Sequence, residues 1–92
     1  MAAEPIVHVV DDDPAVRDSL AFLLDTAGLV SRLYDSAAAL LAAADDLAPG
    51  CIVTDVRMPE MNGLEMVRRL TDLGVRHPVI VMTGHADVPL AI

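Results

Sequence analysis

Apolar and polar positions along this chain follow two alternating periods. Ile6 to Val10 is a β-branched run broken only by His8, the pattern of a strand covered on both faces. Three carboxylates, Asp11 to Asp13, end it. Asp13 followed by Pro14 is a helix-start signal, an N-cap carboxylate with proline at the first helical position. Val16, Leu20, Leu23, Leu24 and Ala27 then recur at helical spacing, and Gly28 is the stop. Leu29 to Tyr34 reads as a short strand, and Ser36 caps an Ala/Leu-rich helix running to about Ala44. Asp45 to Gly50 is a loop. Cys51 to Thr54 is an apolar strand ending on Asp55, followed by the turn VRMPEMNG and a helix from about Leu64 to Leu73 that Gly74 closes. His77 and Pro78 lead into the strand Val79 to Met82, and a further helix is predicted to start near Val88 and Pro89.

Strands alternating with helices at this spacing predict an α/β fold of βαβ units, a parallel sheet with helices on both faces. In such folds the functional crevice lies beyond the carboxyl ends of the strands, where strand order reverses. Asp11, Asp12 and Asp55 sit at such ends, and Thr83 follows the last strand in the same way.

Composition narrows the possibilities. The 92 residues make one domain, and a hydrophobic fraction of 54% excludes a disordered chain. Only Phe22 and Tyr34 are aromatic, so the core is expected to be aliphatic. With 14 acidic residues against six basic ones, all Arg, the net charge is −8, and no basic stripe exists to contact nucleic-acid phosphates. No apolar run reaches the roughly 18 residues of a membrane span, and MAAEPIV lacks a signal-type pattern, so the expected location is the cytoplasm. Cys51, the single cysteine, reads as a small buried apolar residue.

The acidic triplet carries the chemistry. Two unit charges about 4 Å apart repel by roughly 4 kcal/mol at an effective dielectric near 20, so the cluster weakens the fold unless a cation offsets it. Carboxylates from two strand ends suit a hard ion such as Mg²⁺, which takes one or two carboxylates plus a phosphoryl oxygen. Asp13 is adequately explained as a helix cap. A strand-end carboxylate can also act as a nucleophile toward a phosphoryl donor. Asp55 is the candidate, fixed upstream by the CIVT run and exposed downstream by a proline-containing turn.

The segments VVDDDPAVRDSL, VTDVRMPEMNGLEM and VIVMTGHADVPLAI together resemble the receiver domain of two-component response regulators, most of all those of FixJ-type transcription factors. The resemblance covers Ile6 to Ile92. It implies a flavodoxin-like (CheY-like), doubly wound parallel sheet of strand order 2-1-3-4, with a fifth strand and the last helices absent from this chain. It makes residues 1–92 a receiver domain incomplete at its C-terminus, with no output domain in the chain. By the same resemblance Asp55 is the phosphoacceptor, charged by a sensor histidine kinase. Asp11, Asp12 and Asp55 hold Mg²⁺ together with the backbone carbonyl of Arg57. Thr83 is the switch hydroxyl, and His85 is a candidate modulator of water access. A hydroxyl beside a new phosphoryl group gains a charge-assisted bond only in the modified state, which gives the switch its physical basis.

The family places a lysine on its fifth strand, and this chain contains no lysine. Its last predicted strand is apolar on both faces, so a homodimer or swapped oligomer through an open sheet edge is expected. An alternative reading is therefore a phosphorylation-impaired interaction module. A phosphohydrolase using an aspartyl phosphate ranks last, because Arg57 stands where that chemistry needs a second acid. The expectation is a regulatory protein rather than an enzyme, acting on transcription without binding nucleic acid or membrane through this domain.

Overall fold

The computed structural model describes residues 5–82. The strands are β1 (Ile6–Val10), β2 (Val30–Tyr34), β3 (Gly50–Asp55) and β4 (Val79–Met82), and the helices are α1 (Pro14–Thr26), α2 (Ala37–Ala42) and α3 (Gly63–Asp72), with a 3₁₀ turn at Ala44–Asp46. All strand pairs are parallel, as the chain's alternation predicts, and their order β2-β1-β3-β4 is the one the resemblance implies. The candidate switch residue Thr83, the candidate modulator His85, and the helix expected near Val88 and Pro89 lie outside the described residues.

Register divides the sheet into two faces. Val10, Ile52 and Val79 share one face, where they meet Ala37 and Leu40 of α2, Met66 and Leu70 of α3, and Met58 of the turn after β3. Fully burying a Leu, Ile or Met side chain contributes about 1.5–3 kcal/mol, so the seven buried residues of this group, with Val79 half-buried against them, are the main source of cohesion. Tyr34 packs at their margin and Phe22 is exposed, so neither is fully buried. The opposite face carries Val7 and Val9 of β1 and Val53 of β3, with α1 packed on β1 and β2.

That second face is thinner than the sequence implies. The helical stripe of α1 exists, yet no residue of α1 is fully buried, and Leu23 is 62% exposed beside Phe22 at 70%. Among the described residues α1 has no helical neighbour on its face, so it covers only the β2 side of the sheet. Cys51, on the same face, is half-buried rather than enclosed.

Local signals account for the boundaries. Gly28, at φ 80°, closes α1: its amide donates to Asp25 and the Leu29 amide to the Leu24 carbonyl, so Leu29 belongs to the helix end and β2 starts at Val30. Gly74, at φ 83°, closes α3 in the same way, with the Val75 amide on the Leu70 carbonyl. The Ser36 and Asn62 side chains cap α2 and α3.

Candidate functional site

Val10 and Thr54 are register partners, so the residues that follow them, Asp11 and Asp55, leave the sheet side by side. With Asp12 they bring one carboxylate oxygen each to within 4.8 Å of one another. The third member of the triplet is directed elsewhere, because the Asp13 carboxylate accepts the Ala15 amide at 2.9 Å and caps α1.

Asp11 is 3% exposed, whereas Asp12 is exposed and Asp55 half-buried. Three bonds fix Asp11. Its amide donates to the Tyr34 carbonyl (3.1 Å), its Oδ1 accepts the Asp13 amide (2.9 Å), and its carbonyl accepts Nη1 of Arg17 (2.7 Å). Burial raises the Asp11 pKa above the ordinary carboxylate value. The Asp13 amide opposes that rise, and the charges of Asp55, Asp12 and Asp13 add to it. Among the described residues neither Asp11 nor Asp12 forms an ion pair.

Asp55 is held from three directions. The next residue, Val56, donates its amide to the Met82 carbonyl on β4 at 3.0 Å, and the Thr54 hydroxyl donates to the Asp55 carbonyl at 3.1 Å. The Arg57 amide donates to Asp55 Oδ1 at 3.3 Å, so Arg57 contributes backbone at this site while its residue is exposed. From below, the start of α3 presses on the Asp55 peptide: a Cβ at Gly63 would collide with the Asp55 carbonyl, and the Gly63 amide donates to Val56 at 2.9 Å. Between them the chain makes a tight turn at Glu60, which adopts φ 69° while the Met61 amide reaches the Pro59 carbonyl at 2.7 Å. That left-handed conformation is uncommon for a residue other than glycine and stores strain beside Asp55.

The donor set fits a hard divalent cation. All three groups are carboxylates, no soft ligand stands among them, and the most buried is disfavoured as an anion until a cation offsets its neighbours.

Three features escape sequence reasoning. Arg17 bonds a backbone carbonyl, which no side-chain pattern encodes, although its place one turn into α1 follows from Pro14 as the helix start. Gly63 reads as part of a turn, and its contact with Asp55 depends on tertiary packing. His8 and His77 read separately as a satisfied strand residue and a loop residue, but both bond the carbonyl of Ala48 at 2.9 Å, and His8 Nδ1 also meets the Tyr34 hydroxyl at 3.2 Å.

Comparison with known proteins agrees with this geometry. Residues 7–92 match the family described as response regulator receiver domain. The transcriptional regulatory protein FixJ of Azorhizobium caulinodans is 59% identical over 86 residues, covering 94% of this chain and 41% of that protein. FixJ of Bradyrhizobium diazoefficiens is 48% identical over all 92 residues, 45% of its length. A crystal structure of FixJ-N superposes with a TM-score of 0.87 at 49% identity, covering 95% of this chain and 70% of that one. The chemotaxis protein CheY4 of Vibrio cholerae, at 26% identity, gives a TM-score of 0.82 over 92% of this chain and 72% of its own. This chain therefore spans under half the length of the two FixJ proteins.

Proposed function

Because the chain belongs to the response regulator receiver domain family, we propose that it accepts a phosphoryl group on Asp55 from a sensor histidine kinase, with Mg²⁺ held by Asp11, Asp12 and Asp55 and by the Arg57 carbonyl. The observation that carries this reading is the convergence of three carboxylate oxygens within 4.8 Å at the ends of β1 and β3. An Asp55 carboxylate oxygen attacks phosphorus and forms an acyl phosphate. The phosphorus–nitrogen bond to the kinase histidine breaks, and the departing imidazole keeps the electron pair. Mg²⁺ held by these residues would offset the negative charge on the transferring phosphoryl oxygens.

The chain's own residues do the rest. The Met82 carbonyl, the Thr54 hydroxyl and the helix start at Gly63 hold the Asp55 backbone, and the Arg57 amide orients its carboxylate. Thr83 and His85 keep their proposed roles as switch hydroxyl and modulator. Regulation of transcription is the output proposed for the whole protein, since FixJ proteins are transcriptional regulators. A regulatory phosphoacceptor fits better than a phosphohydrolase, as Arg57 stands where a second acid would be needed.

The test is incubation with Mg²⁺ and acetyl phosphate followed by intact-mass measurement, with Asp55→Ala in parallel. One phosphoryl adduct that requires both Mg²⁺ and Asp55 is expected; an adduct of equal yield on Asp55→Ala would assign the chemistry elsewhere.

A second reading, self-association through β4, is favoured by one observation. β4 is an outer strand of the described sheet, and Ile80 upon it is 54% exposed. Sedimentation velocity should then show association rising with concentration, and a monomer throughout the range ends this reading.

A further inference from the structure

Arg17 touches the turn between β1 and α1 twice. Its amide donates to the Asp13 carbonyl at 3.0 Å, the first bond of the helix, and its Nη1 donates to the Asp11 carbonyl at 2.7 Å. The second bond reaches back from the helix to the strand end. It spans Asp12, and it leaves Asp11 held on both sides, its amide by the Tyr34 carbonyl and the carbonyl of its peptide to Asp12 by Arg17. Arg17 is half-buried and its bond to this turn is partly shielded from solvent, where a charge-assisted bond is stronger than in water.

We propose that Arg17 is a positioning residue for the divalent-cation site, holding the Asp11–Asp12 peptide so that both carboxylates face Asp55. This inference rests on the proposed Mg²⁺ ligands. It runs against simple electrostatics, because a permanent cation near a cation site repels the ion, and deleting it would tighten binding on charge alone. Positioning predicts the opposite sign, so the direction of the change separates the two effects.

The experiment is calorimetric titration of the whole chain with Mg²⁺ alone, comparing the wild type with Arg17→Gln, Arg17→Met and Arg17→Lys. Circular dichroism and a metal-free melt are recorded for each. Loss of an outer partner of a metal ligand typically weakens binding by about tenfold or more, and that loss is expected for Gln and for Met, whose aliphatic stem preserves packing. Lys, which retains a charged donor for the same carbonyl, should recover most of the affinity. Unchanged or tighter binding by the folded Gln and Met variants overturns the proposal, as does a folded Lys variant as weak as they are. A lower metal-free melt with unchanged affinity makes Arg17 purely structural and also overturns it. A folded wild type that binds no Mg²⁺ overturns the ligand assignment together with this inference, whereas wild-type binding with insensitive variants overturns this inference alone.

Discussion

Asp11 concentrates the opposing forces of the site in one side chain. Its carboxylate is buried among three like charges, and the Asp13 amide is the group that opposes the resulting rise in pKa. A group that binds its proton more tightly folded than unfolded adds stability at low pH and loses it as pH rises through the folded pKa. The metal-free chain should therefore lose part of its stability as pH climbs through and above the ordinary carboxylate range, and Mg²⁺ should restore it. Asp11→Asn keeps an oxygen for the Asp13 amide and removes the charge. A gain on the order of 1 kcal/mol in metal-free stability is expected, with a flatter pH dependence and weaker Mg²⁺ binding. Thermal melts at several pH values, with and without Mg²⁺, check this; an equally steep pH dependence in the Asn variant would place its origin elsewhere. The division of labour within the triplet was legible, since Pro14 marks Asp13 as the helix cap and leaves Asp11 and Asp12 to the crevice. Arg17 was not legible, because nothing in a sequence indicates that a side chain will seek a particular backbone carbonyl.

Among the elements, α3 shows how a local rule can reverse its sign. Glycine within a helix costs roughly 1 kcal/mol relative to alanine, so Gly63→Ala would ordinarily stabilise. Here the added methyl meets the Asp55 carbonyl, with the Thr54 side chain 3.2 Å away, and α3 must shift to admit it. A net loss of about 1–3 kcal/mol is expected from overpacking, together with slower phosphorylation, because the displaced peptide is that of Asp55. Denaturant midpoints and acetyl-phosphate time courses measure both quantities. A stabilised variant with unchanged labelling would show that the helix start is free to yield. Among the described residues the strands, the three helices and their order were legible, since β1 and β4 are short β-branched runs with distinct ends. Boundaries moved where a side chain or carbonyl intervened: capped by Asn62, α3 begins at Gly63, one residue before the expected start, and Leu29 is drawn into the end of α1. The helix predicted to reach Ala44 ends at Ala42 and tightens into a 3₁₀ turn, there being no glycine to close it.

At the scale of the whole molecule, the two ends of the sheet do different work. The carboxyl ends gather the acidic residues, while at the opposite end one acceptor, the Ala48 carbonyl, receives Nε2–H from both His8 and His77. Periodicity gave no hint of this junction, since it joins residues 40 and 29 positions apart. That separation has a kinetic consequence. Each bond can close only once the crossover between its two partners has formed, and the junction is complete only when both have, so it is expected on the native side of the folding barrier. Removing one such hydrogen bond, at about 1 kcal/mol, should leave the refolding rate unchanged and speed unfolding roughly fivefold. In a chevron plot of His77→Ala the refolding arms should superimpose and the unfolding arms separate; slower refolding would instead place the junction in the nucleus. If the refolding arms do superimpose, the lifetime of the native state can be tuned from the end of the sheet remote from Asp55, and the molecule's durability altered without touching its acidic site.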